Sequence, residues 1–80
     1  MPVIESLNGI KISIYYNDHV PPHIHARYAE FEALVDIRKV EVFRGELPSS
    51  KIKLVLKYVK ENADELLNLF YELNPTIERI

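Results

Sequence analysis

Eighty residues without cysteine, carrying ten Lys and Arg against twelve Asp and Glu, describe one small acidic domain spanning 1–80, held together by neither disulfides nor a thiolate zinc site. A net charge of −2 speaks against a general duplex-binding protein, which is normally basic, while leaving room for a local basic site. No apolar run approaches the ~20 residues that span a bilayer, and Met1-Pro2-Val3-Ile4-Glu5 lacks the basic-then-apolar pattern of a signal peptide, so no membrane association and a cytoplasmic location are expected.

Residues 3–7 read as a short strand, and Asn8-Gly9 is the strongest short signal for a two-residue hairpin. The next run alternates, with Ile10, Ile12, Ile14 and Tyr16 on one face and Lys11, Ser13, Tyr15 and Asn17 on the other, the period of a half-buried strand. A histidine-rich loop follows. Residues 23–29 alternate again, with Ile24, Ala26 and Tyr28 inward and His23, His25 and Arg27 outward. Ala29-Glu30-Phe31 turns the chain into a strand from Glu32 to Ile37, with Ala33, Val35 and Ile37 inward and Glu32, Leu34 and Asp36 outward. Val40 to Phe43 adds a short strand, and Arg44-Gly45-Glu46-Leu47-Pro48 reads as a connection. A helix starts after Pro48 with Ser49 or Ser50 as N-cap. Its apolar set of Ile52, Val55, Leu56, Val59, Ala63, Leu66, Leu67, Phe70 and Leu73 occupies a sector roughly 120° wide. The stripe stays in phase across Asn62, so one long helix to about Leu73 is expected. The alternative is a break at Asn62 with a second capping box to Glu65. Asn74-Pro75 stops the helix. The expected fold is α+β: an antiparallel sheet of four to five strands with one long C-terminal helix packed on one face.

All three histidines lie within Asp18-His19-Val20-Pro21-Pro22-His23-Ile24-His25. On a strand His23 and His25 share a face, roughly 7 Å apart, and two prolines stiffen the approach. Four readings compete. In the first the imidazoles only bind loop carbonyls. In the second His23 and His25 are a general acid–base pair, with Arg27 and Lys11 stabilising a phosphate. In the third His23, His25 and either His19 or Asp18 hold a divalent transition metal such as zinc, with a position left open. In the fourth the face only recognises a partner. No serine or cysteine sits in the cluster, so covalent catalysis has no support.

The block Tyr15-Tyr16-Asn17-Asp18-His19-Val20-Pro21-Pro22-His23-Ile24-His25-Ala26, followed by Tyr28 and by Arg44-Gly45-Glu46-Leu47-Pro48, closely resembles a small bacterial family catalogued as domain of unknown function 4160, over nearly the whole chain. The resemblance implies a cytoplasmic bacterial protein that is one half of a two-gene cassette, similar to a toxin–antitoxin module, with a small protein partner encoded nearby. The effector role fits better than the antidote role, because the chain has no disordered or DNA-binding extension. Phosphoryl chemistry on RNA is then the most economical mechanism. A non-enzymatic module binding a protein or a metal through the same face is the alternative.

Two further features stand out. Lys53, Lys57 and Lys60 share a helix face, with Lys51 nearby; a phosphate-facing stripe competes with the simpler reading of a solvated face laced by the i,i+4 pairs Lys57–Glu61 and Lys60–Asp64. Leu54, Tyr58 and Leu69 lie off the core stripe, and Tyr15 and Phe43 lie on the outward sheet face. On so small a domain these suggest an interface, in a homo-oligomer or with a partner.

Overall fold

The structure, a computed structural model, describes residues 3–15 and 19–77. Tyr16, Asn17 and Asp18, which the sequence places at the end of a strand and in the histidine cluster, lie outside the described residues.

Five strands, β1 (Val3–Leu7), β2 (Ile10–Ser13), β3 (His23–Tyr28), β4 (Phe31–Asp36) and β5 (Glu41–Glu46), form an antiparallel meander in the order β1-β2-β3-β4-β5. Among the described residues two helices, α1 (Ser49–Glu61) and α2 (Ala63–Leu73), follow. The β1–β2 hairpin turns on Asn8 and Gly9, at φ of 45° and 84°, the pair of positive values that a two-residue turn needs to match strand twist. Among the described residues no helix is long and apolar enough to cross a membrane.

The alternation holds through the central strands. Ile10, Ile12, Ile14, Ile24, Ala26, Ala33, Val35 and Ile37 are fully buried on one face, and Val55, Val59, Leu66 and Phe70 of the helices meet them. Tyr28 is half-buried on that side, against Gly9 and under the Lys51 ammonium, 4.8 Å from the ring centroid. That contact gives Lys51 a local role, while Lys53, Lys57 and Lys60 are exposed.

The helical region differs from the single long helix expected. Asn62, at φ −123° and ψ 20°, separates α1 from α2. Its Nδ2 donates to the Tyr58 carbonyl at 2.9 Å, and its backbone N–H reaches the Tyr58 and Val59 carbonyls. The side chain thus competes with the backbone ladder for the same acceptor, as asparagine does. It makes no cap to α2, so the capping box to Glu65 does not form; Asp64 and Glu65 sit instead in the first turn of α2, where carboxylates suit the helix dipole. At the other end, Pro48 is the N-cap residue rather than Ser49 or Ser50. Its carbonyl accepts from Lys51 and Ile52, and both serines are already in the helix. α2 ends at Leu73, where Asn74 is only 2% exposed and its Nδ2 donates to the Tyr15 and Phe70 carbonyls. This clamp fixes the end of α2 to the chain just beyond β2, next to the histidines.

β5 runs further than the sequence suggests, and the stretch read as a connection belongs to it through Glu46. The cause is a bulge. Val35 pairs with Val42 and Leu34 with Arg44, so Phe43 is an extra residue on β5. A bulge re-aims the side chains beside it. Val42 stays opposite the buried Val35, while Arg44 and Phe43 both reach the outer face.

Candidate functional site

The outer face of the sheet is built in rows set by register. Lys11, Arg27, Glu32 and Glu46 form one row; Ser13, His25, Leu34 and Arg44 the next; His23, Asp36 and Glu41 the third. This face is not uniformly open, and at its His23 end α2 reaches it through Phe70.

His23, the first residue of β3, is only 4% exposed. Its Nδ1 lies 2.7 Å from the Pro21 carbonyl, which can only accept, so Nδ1 is the donor. The ring packs edge-on to Phe43 at 5.4 Å between centroids, against Phe70 at 5.8 Å and against His25 at 5.1 Å. Asp36, its partner in register, is not its proton partner. The Asp36 Oδ1 accepts the backbone N–H groups of Arg38 and Lys39 at 2.8 and 2.9 Å, and so shapes the β4–β5 turn. The Val20–Pro21 peptide bond is cis.

His25 is half-buried, and besides the His23 ring it meets Tyr15 and Glu32. Its ring meets Tyr15 in a T-shaped pair at 4.4 Å. Its Nδ1 lies 3.5 Å from Glu32 Oε2, with 18% of the His25 side chain and 51% of the Glu32 side chain exposed. This is ion-pair range but long for a hydrogen bond. The carboxylate favours the tautomer with its proton on Nδ1.

Seven residues enclose a pocket of about 300 Å³: His19 and Val20 from the loop, His23 and His25 from β3, Leu34 from β4, and Phe43 and Arg44 from β5. The structure therefore gathers the three histidines at one cavity, with His19 exposed, His25 intermediate and His23 buried. Arg27, the cation expected from sequence, is exposed on the neighbouring row beside Lys11 and Glu32 and does not line the cavity. The cation that does is Arg44, with Phe43 beside it. Sequence reading placed Phe43 on the outward face, though only as an interface residue, and missed Arg44, because the bulge that turns Arg44 to this face alters no hydrophobic period. The available signal was Gly45, a glycine inside a strand pattern, which often marks a bulge.

Of the four groups expected as metal ligands, Asp18 lies outside the described residues. Among the described residues no three His, Asp or Glu side chains converge so as to hold a metal ion. His23 has Nδ1 bonded to an acceptor and His25 has Nδ1 facing one at 3.5 Å, and an acceptor at Nδ1 orients an imidazole for work at Nε2, whether with a proton or with a metal.

The family model for a domain of unknown function (DUF4160) matches residues 9–70. That stretch holds β2 through most of α2 and every member of the pocket, and the chain belongs to this family. No curated protein and no solved structure matches the chain significantly.

Proposed function

We propose that the pocket is a general acid–base site for phosphoryl transfer on RNA, and that the protein is the effector of a two-protein, toxin–antitoxin-like pair in a bacterial cytoplasm. Its small protein partner, encoded nearby, would control access to the site. The observation that carries the chemistry is the convergence of His19, His25 and Arg44 on one cavity, with His25 facing Glu32. His23 and His25 are in ring contact, which leaves no room for a phosphate between them. The proton-moving pair is therefore His25 with His19, and His23 is a positioning residue that fixes the strand end and the His25 ring. One imidazole takes the proton of a ribose 2′-hydroxyl as O2′ bonds to phosphorus. The other protonates O5′ as the P–O5′ bond breaks, leaving a 2′,3′-cyclic phosphate. Arg44 stabilises the charge that develops on the phosphoryl oxygens. Arg27 and Lys11, one row away, suit a flanking phosphate.

The test is cleavage of labelled RNA by the chain purified without its partner, read alongside growth on induction. His25→Ala and His19→Ala should each lower the cleavage rate by roughly 10²–10⁴-fold, and a DNA strand lacking 2′-hydroxyls should stay whole. Undiminished cleavage by His25→Ala, or equal cleavage of DNA, overturns the proposal.

A second reading has its own support. An acceptor at Nδ1 of both imidazoles is also what metal-ligating histidines show. In that reading His23 and His25 supply two nitrogens, and His19 or Asp18 completes a non-enzymatic metal- or protein-binding module. Calorimetry with zinc or nickel decides: metal binding that is lost in His25→Ala and weakens below about pH 6 favours it, while no heat at near-millimolar metal removes it.

A further inference from the structure

The opposite edge of the sheet carries a second surface, unrelated to the histidine pocket. β1 is an edge strand with β2 as its one neighbour, and an edge strand presents a row of backbone groups that its own sheet does not use. Beside it lie two adjoining cavities of about 490 and 310 Å³. One opens on Ile4 and Glu5, the other on Ser6, Leu7 and Asn8, and Tyr58 lines both. Together they make a groove along β1 from Ile4 to Leu7. Leu54 and Leu69 supply its apolar walls. With Tyr58, these helix residues lie off the core stripe; half-buried and packed against the edge of the core, they also line the groove.

The charge on this groove is one-sided. Glu5, Glu61, Glu65 and Glu72 line it against a single Lys57. Glu5 pairs with the buried Ile12, which puts its carboxylate on the helix-covered side, and a bulge at Ile4 precedes it. A bulge and an inward charge are the devices that close an edge to indiscriminate pairing. A second copy of the chain, docked edge to edge, would bring this acidic groove against itself. A strand bearing Lys or Arg would neutralise it. Tyr58 reports the same field: burial first, then Glu5 and Glu65, raise its phenol above the ordinary 10.0.

We propose that the β1 edge and its groove dock an extended cationic segment of a partner protein, which adds to the sheet as a further strand, its apolar side chains against Leu54, Tyr58 and Leu69 and its basic ones facing Glu5 and Glu65. This is strand addition in which backbone bonds give affinity and alternate side chains give specificity.

The probe is a synthetic peptide alternating valine and lysine, with a valine–glutamate peptide as control, added to the full chain. Hydrogen exchange should slow at the amides of Val3–Leu7 with the lysine peptide and stay unchanged at Glu41–Glu46. Glu5→Lys should weaken binding by about tenfold or more. Glu65→Lys, on an exposed helix position, should do the same and carries the test if Glu5→Lys does not fold by circular dichroism. Equal binding of both peptides, no binding of the lysine peptide, protection at β5 instead of β1, or dimerisation of the unmodified chain through β1 in sedimentation would each overturn the proposal.

Discussion

Truncating His23 and His25 to alanine, one at a time, separates folding from chemistry. His23 is 4% exposed, packs against the rings of His25, Phe43 and Phe70 and donates to the Pro21 carbonyl. Losing that packing and leaving the Pro21 carbonyl unmatched should cost about 2–4 kcal/mol. A domain of this length has a total stability of about 4–12 kcal/mol, so His23→Ala removes a large share of it. An outward strand position alone would put His25→Ala near ±0.5 kcal/mol. Its T-shaped contact with Tyr15 and the screened pair with half-exposed Glu32 raise that to about 1–2 kcal/mol. Ile14→Ala, in the core, should cost roughly 2–5 kcal/mol. In urea, with a slope near ~1 kcal/mol/M, the midpoint should fall by about 2–4 M for His23→Ala and about 1–2 M for His25→Ala. RNA cleavage at low temperature, where all three remain folded, should be lost in His25→Ala and kept in Ile14→Ala. If His25→Ala is destabilised as severely as Ile14→Ala, His25 is a structural residue and the acid–base assignment fails. If His23→Ala behaves as a surface change, the burial that makes it a positioning residue is wrong.

Gly45→Ala should lower stability by at least about 2 kcal/mol, roughly 8–16 °C in melting temperature for a domain this size. The residue sits at φ 77°, and an added Cβ would meet the Glu32 carbonyl oxygen, a backbone atom that cannot swing aside; a thermal melt within 2 °C of the parent would contradict this geometry. Alkaline stability should depend on Tyr58. Its raised phenol means that the folded chain keeps a proton the unfolded chain releases, so the contribution is whole below 10.0 and is lost as pH rises through the higher folded value. Glu5→Gln removes part of the cause, so an NMR titration of the Tyr58 ring should give a lower value in that variant than in the parent.

Much of the fold was legible because it rests on local periods. Ile10-Ile12-Ile14, Ile24-Ala26 and Ala33-Val35-Ile37 alternate as half-buried strands, Asn8-Gly9 makes the hairpin, and Pro48 and Asn74-Pro75 bound the helical region. The break at Asn62 was harder to see, because the buried set Val55, Val59, Leu66 and Phe70 keeps its phase across one non-helical residue. The decision turned on a side-chain bond to the Tyr58 carbonyl that no period records. The site was legible as a cluster and not as a geometry. Alternation places His23 and His25 on the outer face, and they lie there. The burial of His23 depends on Phe43 and Phe70, twenty and forty-seven positions away in the chain, and on the Asn74 clamp that brings the end of α2 alongside.

Phe43 is where the two kinds of information meet, and deleting it tests the account. If it is the extra residue of a bulge, its removal lets Arg44 follow Val42 directly while Val35–Val42 and Leu34–Arg44 remain paired. The ladder becomes regular, Val42 stays inward and Arg44 stays outward. An ordinary strand deletion instead slips the register by one and turns every side chain beyond it to the wrong face. The deletion should therefore leave the β4–β5 amides protected in hydrogen exchange. Its cost should be that of one 42%-exposed aromatic ring and its edge contact with His23, about 1–2 kcal/mol. Solvent should then reach His23, whose ring protons would exchange contacts with Phe43 for water in NMR spectra. Collapse of protection along Glu41–Glu46 would mean that Phe43 is an integral rung of β5. Arg44 would then owe its place at the pocket to something other than the bulge.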